Sequence, residues 1–263
     1  MRNLYFFLAL QLVLLNSYGQ KSNGYAAAYF RSGNDTLPFR YLEPLEIKKG
    51  KKYPVIIVLH GTGERGRDNK LQLVHGAKSF MDPSLRNNYP AYIIFPQCKV
   101  NTSWARAKKS RFTFDTLGGF TYSSAQPPTR PLALLMQLVN SISNQPSVDK
   151  DRIYIGGLSM GGMATFELLW RKPGFFAAAF PICGGGDPAK VAMYKEVPLW
   201  IFHGKEDPVV RVSNSRRMLN AFKEAGGSAK YSEYPGVGHN SWNNAFAEAG
   251  LVPWLFSKSR KRL

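Results

Sequence analysis

A serine flanked by glycines is the residue in this sequence best placed to do chemistry. Ser159 lies between Gly157 and Gly161 in the pattern G-x-S-x-G, after an apolar run and before a stretch with helical spacing. A serine on such a strand-to-helix turn needs unusual backbone angles, and the flanking glycines let strand and helix pass closely. The turn also lifts the hydroxyl to the start of a helix, where amides favour developing negative charge. The pattern predicts a nucleophile; the alternative is an incidental serine in a glycine-rich turn.

Two histidines follow this serine in loops that could bring them to it, and two acids come shortly after the first of these histidines. His203 ends an apolar run and is followed by Glu206 and Asp207, whereas His239 lies in a glycine-rich loop near the end of the chain. A nucleophilic serine needs an imidazole to take its proton and a carboxylate to hold that imidazole in the right tautomer. These side chains are therefore the candidates for base and acid.

The strands that must position these residues are visible as apolar runs. Most of the runs are continuous rather than alternating, which is typical of strands buried on both faces of a parallel sheet. A shorter pair at the start is joined by a turn at 33–35 and predicts a hairpin. The predicted strands are 25–30, 37–42, 53–61, 91–96, 152–157, 177–181, 198–204 and 229–234.

Stretches with helical spacing separate the strands. Residues 131–144 carry an apolar stripe with helical spacing, and Pro131 could be the first residue of this helix. Strands that alternate with helices indicate an α/β fold, a mostly parallel sheet of about eight strands with helices on both faces. Ligands of such folds bind beyond the carboxyl ends of the strands. The other predicted helices are 160–171, 213–225 and 243–255.

The stretch around Ser159 resembles the nucleophile elbow of α/β-hydrolases, and the similarity runs from about Tyr53 to Trp254. More narrowly, residues 59–66 (L-H-G-T-G-E-R-G) and 95–98 (F-P-Q-C) are similar to small secreted esterases. These are the relatives of polyhydroxybutyrate depolymerases, feruloyl and acetylxylan esterases, and prolyl-oligopeptidase-like hydrolases. The resemblance implies an α/β-hydrolase domain over residues 20–263 and a serine hydrolase that needs neither metal nor cofactor.

The resemblance also implies a role for each candidate. In this fold the chain order is serine, acid, histidine, so His239 is the expected base. Asp207 matches the position of the family's acid, with Glu206 as the competitor. His203 precedes that acid, and we expect it to hydrogen-bond the loop that carries Asp207.

The oxyanion of the tetrahedral intermediate needs preorganised amide donors. One is the amide after the nucleophile, that of Met160, and by resemblance the second is that of Thr62. Glu64 and Arg65 are expected to pair and brace the loop around Thr62; solvated surface charges are the alternative.

Two tryptophans are candidates for the substrate-binding walls. Trp104 follows a strand at the expected catalytic edge, and Trp242 comes three residues after His239. Either could instead be a core residue under a loop. Residues 105–130 form an insertion that could overhang the site.

Residues 1–19 have the composition of a secretory signal peptide. A positive start precedes an apolar run from Leu4 to Leu15, and the small residues Ser17 and Gly19 follow it. The run is shorter than the roughly 20 residues of a bilayer span. We therefore expect cleavage after Gly19 and a secreted or periplasmic protein without stable membrane insertion; a membrane anchor is the alternative.

The net charge bears on nucleic-acid binding, and the cysteine content bears on disulfide formation. The net charge is +18, but the basic residues are scattered and no nucleic-acid motif accompanies them. We therefore expect no nucleic-acid binding, while the oligomeric state stays open. Cys98 and Cys183 could form a disulfide after export, but two separate thiols are the favoured interpretation.

The leading hypothesis is thus an exported carboxylesterase acting on a small-molecule or polysaccharide-linked ester, such as an acetyl or feruloyl group. A prolyl-oligopeptidase-like peptidase is the first alternative, although 263 residues leave no room for the propeller domain of those enzymes. A non-catalytic binding module is the second, and the presence of serine, acid and histidine argues against it.

Overall fold

In the computed structural model, which describes residues 24–109 and 120–260, the chain forms one eight-stranded sheet and a separate two-stranded sheet. The predicted signal peptide, 1–19, and the middle of the predicted insertion, 110–119, lie outside the described residues. The strands are β1 (Ala26–Ser32), β2 (Asp35–Leu42), β3 (Tyr53–Leu59), β4 (Tyr92–Pro96), β5 (Ala107–Lys109), β6 (Phe120–Tyr122), β7 (Val148–Leu158), β8 (Ala178–Ile182), β9 (Leu199–Gly204) and β10 (Ala229–Tyr234).

The large sheet has the order β1-β2-β4-β3-β7-β8-β9-β10. Its six strands from β4 to β10 run parallel, and β2 is antiparallel to both β1 and β4. The predicted mostly parallel sheet of about eight strands is therefore confirmed. The short hairpin of β5 and β6 was not predicted, because strands of three residues show no clear periodicity.

The continuous apolar runs arise because both faces of the central strands are buried. Along β3, Val55 and Ile57 belong to the core on one face, and Ile56 and Val58 to the core on the other. Successive side chains of a strand point to opposite faces. A strand covered on both sides must therefore be apolar at every position, as the sequence shows.

Six α-helices cover the two faces of the sheet in the described part of the chain. Buried residues of α2, α3 and α4 join the core on one face, and residues of α1, α5 and α6 pack on the other. The Thr129 hydroxyl caps α2 by accepting a hydrogen bond from the amide of Leu132. The helices are α1 (Pro83–Asn88), α2 (Arg130–Ser143), α3 (Met160–Arg171), α4 (Ser213–Glu224), α5 (Trp242–Ala247) and α6 (Leu251–Phe256).

The predicted single helix 243–255 is wrong: the structure has two short helices, α5 and α6, separated by a break at 248–250. Glu248 adopts an extended conformation at the end of α5, with ψ of 105°. Pro253 cannot donate the backbone hydrogen bond that a continuous helix needs, but it is tolerated in the first turn of a new helix. The apolar spacing continues through the break and conceals it.

The described parts of the insertion, 105–109 and 120–130, contact α3 and reach the carboxyl edge of the sheet. The Arg106 amide donates to Glu167 on α3 at 2.9 Å, and the Tyr122 hydroxyl donates to Asn214 on α4 at 3.3 Å. Tyr122 also lies against Gly185, because a Cβ at that glycine would collide with the phenol oxygen. Among the helices of the described residues, none has both the length and the apolar character needed to cross a bilayer.

Candidate active site

Ser159 lies on a strained turn between β7 and α3. Its φ of 53° and ψ of −113° fall outside the regions that most side chains adopt. A Cβ at Gly157 would lie 2.6 Å from the carbonyl oxygen of Leu59, and one at Gly161 would collide with the same atom. The two glycines therefore let β3, β7 and α3 approach closely. The serine remains partly exposed at the edge of the sheet.

His239 connects Ser159 to Asp207. Its Nε2 lies 3.0 Å from the Oγ of Ser159, and its Nδ1 lies 2.6 Å from the Oδ2 of Asp207. Because the carboxylate can only accept, Nδ1 carries the ring hydrogen and Nε2 faces the hydroxyl as an acceptor. The structure thus brings together the predicted nucleophile, base and acid. In this arrangement a serine can lose its proton to an imidazole that a carboxylate orients.

The Asp207 carboxylate is held by four donors. Its Oδ1 accepts from the amides of Val209 at 2.8 Å and Val210 at 2.9 Å. Its Oδ2 accepts from His239 and lies 3.3 Å from Nε2 of His203. Burial by itself would raise the pKa of Asp207, but the hydrogen bonds from the two histidines and the two amides outweigh it and hold the pKa well below its usual value. The acid is therefore ionised at neutral pH.

His203 holds the loop that carries the acid, as expected from its position. The ring is fully buried, and Nε2 lies 2.7 Å from the carbonyl oxygen of Val210 as well as near Asp207. Its Nδ1 contacts the Ser215 hydroxyl at 2.7 Å. Since both neighbours of Nε2 are acceptors, this nitrogen carries a hydrogen. His203 does not reach Ser159.

Backbone hydrogen bonds join the loops after β9 and β10, which carry acid and base. The amide of Lys205 donates to Tyr234 at 3.0 Å, and that of Glu206 donates to Val237 at 3.1 Å. The Glu206 residue is exposed, in contrast to the buried Asp207. The competing acid is thus placed on the surface, whereas the neighbouring carboxylate faces the imidazole.

The loop after β3 runs beside the nucleophile. A Cβ at Gly61 would lie 3.6 Å from the Cβ of Ser159. The amide of Thr62 in this loop and the amide of Met160 at the start of α3 make no hydrogen bond with any described residue. Two free donors in these positions are what a developing oxyanion on a substrate would require.

Glu64 and Arg65 brace this loop, but they do not pair with each other as expected. The Glu64 carboxylate accepts from the amide of Gly61 at 2.8 Å and lies 3.5 Å from Nε2 of His75. Arg65 donates instead to the carbonyl oxygens of Thr62 at 2.9 Å and Thr102 at 3.1 Å. Glu64 thus holds a backbone amide of the loop, and Arg65 joins the loop to the segment after β4.

Of the two tryptophans predicted to bind substrate, Trp104 is a core residue, so this prediction is corrected. Its side chain is fully buried, and the ring packs on the imidazole of His60 with centroids 5.4 Å apart. The ring thus belongs to the core on one face of the sheet. Trp242 is only partly buried and packs edge-on against His239 at 5.5 Å.

The two cysteines are free and buried. The sulfur of Cys183, a carboxylate oxygen of Asp207 and a nitrogen of His239 lie within 4.8 Å of one another. Burial, together with the charge of Asp207, raises the pKa of the Cys183 thiol far above its usual value. A cysteine binds metal as the thiolate, and the other two groups already bond to each other. The chemistry of these three residues does not favour a metal site.

Comparisons with known proteins show the fold and the family of the chain. The chain is similar to the crystal structure of a thermostable esterase, with 35% identity and a TM-score of 0.80, over 90% of this chain and 64% of that one. The chain thus corresponds to less than two thirds of that esterase. This similarity and the family match below confirm the α/β-hydrolase fold.

Curated relatives are more distant. Acyl-protein thioesterase 1 of Neurospora crassa is 25% identical over 203 residues, which are 71% of this chain and 80% of that protein. The bifunctional acetylxylan esterase/xylanase of Neocallimastix patriciarum is 24% identical over 96 residues, 36% of this chain and 14% of that protein. The family model of phospholipases and carboxylesterases matches residues 43–250. The chain therefore belongs to the phospholipase/carboxylesterase family and is a hydrolase of the carboxylesterase type.

Proposed function

We propose that the protein hydrolyses carboxylic esters through an acyl-enzyme formed on Ser159. The observation that carries this proposal is the line of two hydrogen bonds from Ser159 through His239 to Asp207, at 3.0 Å and 2.6 Å. Ser159, at the outer end of this line, is partly exposed. A substrate carbonyl can therefore approach it.

In the first half of the reaction, the Oγ of Ser159 attacks the ester carbonyl while His239 takes its proton at Nε2. Asp207 stabilises the imidazolium that forms, because its low pKa keeps it ionised. The carbonyl electrons move onto oxygen, where the amides of Thr62 and Met160 are the proposed donors. The tetrahedral intermediate then collapses, and the alcohol leaves with the proton from His239.

In the second half, water replaces the alcohol. His239 takes a proton from the water as it attacks the acyl-enzyme, and the same intermediate geometry recurs. Collapse returns the proton to Ser159 and releases the carboxylic acid. All proton transfers use one imidazole nitrogen, Nε2.

For the substrate, we propose short or aromatic acyl esters, including acetyl or feruloyl groups linked to polysaccharide. The similarity to an acetylxylan esterase supports an acetyl ester. The partly buried ring of Trp242 beside His239 supports an apolar wall for the acyl or alcohol group. The similarity to acyl-protein thioesterase 1 favours acyl thioesters as a second candidate, since the same acyl-enzyme would form.

We also propose export with cleavage of residues 1–19, because their composition is that of a signal peptide. The mass of the N-terminal peptide of the mature protein tests this. A protein that retains Met1–Gly19 would contradict it.

A fluorophosphonate labelling experiment combined with a substrate panel tests the activity. The wild type should be labelled, and Ser159→Ala should not, while Ser84→Ala on the exposed surface of α1 is the matched control. The panel contains short acyl nitrophenyl esters, methyl ferulate, acetylated xylan, an acyl thioester and an aminoacyl-proline anilide. Oxygen esters should be the best substrates. Preference for the thioester would select the second candidate, preference for the anilide would indicate a peptidase, and a lack of labelling would favour a binding module.

A further inference from the structure

Gly61 lies beside the nucleophile, and side chains form hydrogen bonds with both its amide and its carbonyl oxygen. Its amide donates to Oε2 of Glu64 at 2.8 Å. Its carbonyl oxygen lies 2.6 Å from Nδ1 of His60. Nε2 of His60 accepts from the amide of Cys98 at 2.9 Å, so the ring hydrogen is on Nδ1 and is donated to Gly61. A glycine that is free in φ and ψ by itself is thereby restricted to one conformation.

This restriction decides where the amide of Thr62 points. In a trans peptide the C=O and N–H bonds point in opposite directions. Because the Gly61 carbonyl is turned toward the buried ring of His60, the Thr62 amide of the same peptide is turned away from it. That amide makes no hydrogen bond with any described residue. It is the donor that a substrate oxyanion could use.

Glu64 is itself held from the other side. Its second carboxylate oxygen lies 3.5 Å from Nε2 of His75, and its side chain is only 13% exposed. The ring of His75 packs on Trp242 with centroids 4.9 Å apart, and Trp242 packs edge-on against His239. The carboxylate thus lies between the amide of Gly61 and the ring of His75, which in turn packs on Trp242 at the start of α5.

We propose that Glu64 is a positioning residue that sets the oxyanion-binding geometry by accepting the amide hydrogen of Gly61 and so holding the Thr62 amide toward the substrate carbonyl. The inference rests on the proposed function. Glu64 does not touch the reacting atoms; it acts through the backbone of Gly61. Its contribution is made in the transition state, where negative charge develops on the carbonyl oxygen, rather than in substrate binding.

The test separates kcat from KM in two variants of the full chain. Glu64→Met keeps the length of the side chain but has no carboxylate to accept the amide, whereas Glu64→Gln keeps an oxygen that can. Complete removal of an oxyanion donor costs about 100- to 1000-fold in kcat, and a misdirected donor costs less. We expect kcat of Glu64→Met to fall on the order of 30-fold with KM little changed, and Glu64→Gln to stay within about threefold of wild type.

A trifluoromethyl ketone analogue of the best ester supplies a second readout. Its carbonyl carbon bonds to the Oγ of Ser159, the carbonyl electron pair moves onto oxygen, and the serine proton moves to His239. The resulting hemiketal oxyanion needs the same donors as the transition state. Its affinity should therefore fall in Glu64→Met by about the same factor as kcat/KM.

Glu224→Ala, at the exposed end of α4, is the charge-matched control and should retain wild-type kcat. The inference is overturned if Glu64→Met retains kcat within about twofold, if it raises KM alone, or if Glu64→Gln is as impaired as Glu64→Met. If Glu64→Met does not fold, Glu64→Ala is measured by the same criteria. An inactive, unlabelled wild type would instead overturn the proposed function.

Discussion

Two histidines in loops at the carboxyl edge of the sheet each pack against a tryptophan, yet their environments differ. His60 follows β3 and packs on Trp104 with centroids 5.4 Å apart, and His239 follows β10 and packs on Trp242 at 5.5 Å. The exposed fraction is 2% for the residue His60 and 20% for the side chain of His239. Both pairs consist of a loop histidine and a tryptophan, but His60 and Trp104 lie in the core, whereas His239 and Trp242 are partly exposed.

Their hydrogen-bond partners explain what each ring can do. Both nitrogens of His60 bond to backbone groups, those of Gly61 and Cys98. Burial lowers the pKa of His60 to about 4, although the bond to Gly61 opposes this effect. His239 lies instead between a carboxylate and a hydroxyl. A ring held by backbone groups stays neutral, whereas a ring between an acid and a nucleophile can accept a proton and have its charge stabilised.

The largest expected effect is that of removing the proton-accepting ring. His239→Ala should reduce turnover at least several thousand-fold, because members of such a triad act as a unit. Its stability should change little, since the ring is partly exposed. Steady-state kinetics and urea unfolding at pH 7 measure both quantities. Substantial residual turnover in this variant would contradict the different roles assigned to His239 and His60.

The next largest effect is expected in the pH dependence of the free energy of unfolding, through His60. The folded-state pKa of about 4 lies below the ordinary 6.5, so between these values the unfolded chain binds a proton that the folded chain does not. The free energy of unfolding should therefore rise as pH increases from 4 to 6.5, by about 3 kcal/mol from this ring. His60→Gln, which cannot titrate, should show a weaker dependence on pH over this window.

Urea unfolding of both proteins at several pH values between 4 and 7 measures this difference. The depressed pKa of Asp207 acts in the same direction, but below pH 4, where that carboxyl becomes protonated in the unfolded chain. Parallel curves for wild type and His60→Gln would mean that the folded protein protonates His60 as readily as the unfolded chain.

The smallest effect is expected at the tryptophan beside the base. Trp242→Leu should raise KM for an aromatic acyl ester several-fold and change the free energy of unfolding by less than about 1 kcal/mol, because the ring is only partly buried. Trp104→Leu is the matched control: it should cost a few kcal/mol of stability by opening a cavity in the core. A KM effect of equal size in both variants would contradict the different roles of the two rings.

Most of the sheet could be predicted because burial on both faces leaves a continuous apolar run, as in β3 and β9. Short elements could not. Helix α1 buries no residue and so has no apolar stripe, and the break between α5 and α6 is concealed by apolar residues on both sides. The prediction failed where an element is too short to repeat its period.

The candidate site was predictable to the extent that residue types restrict it. Ser159 is recognisable by its flanking glycines, and few histidines are available to act as its base. The prediction for Trp104 failed because a loop position does not reveal whether a side chain turns inward or outward. Glu64 was expected to brace the loop around Thr62, but the wrong partner was predicted for it, because its partner is a backbone amide, which nearly every residue possesses.

By itself, the sequence determined the order of strands and helices, the strained serine turn and the limited choice of base and acid, because these follow from local spacing and side-chain chemistry. Only the tertiary structure decided which imidazole is buried and which is half-exposed, that Glu64 binds Gly61 rather than Arg65, and that Cys183 lies beside the acid. These outcomes depend on which loops meet at the edge of the sheet. The relative positions of these loops depend on packing between residues far apart in the chain, and no local sequence pattern predicts that packing.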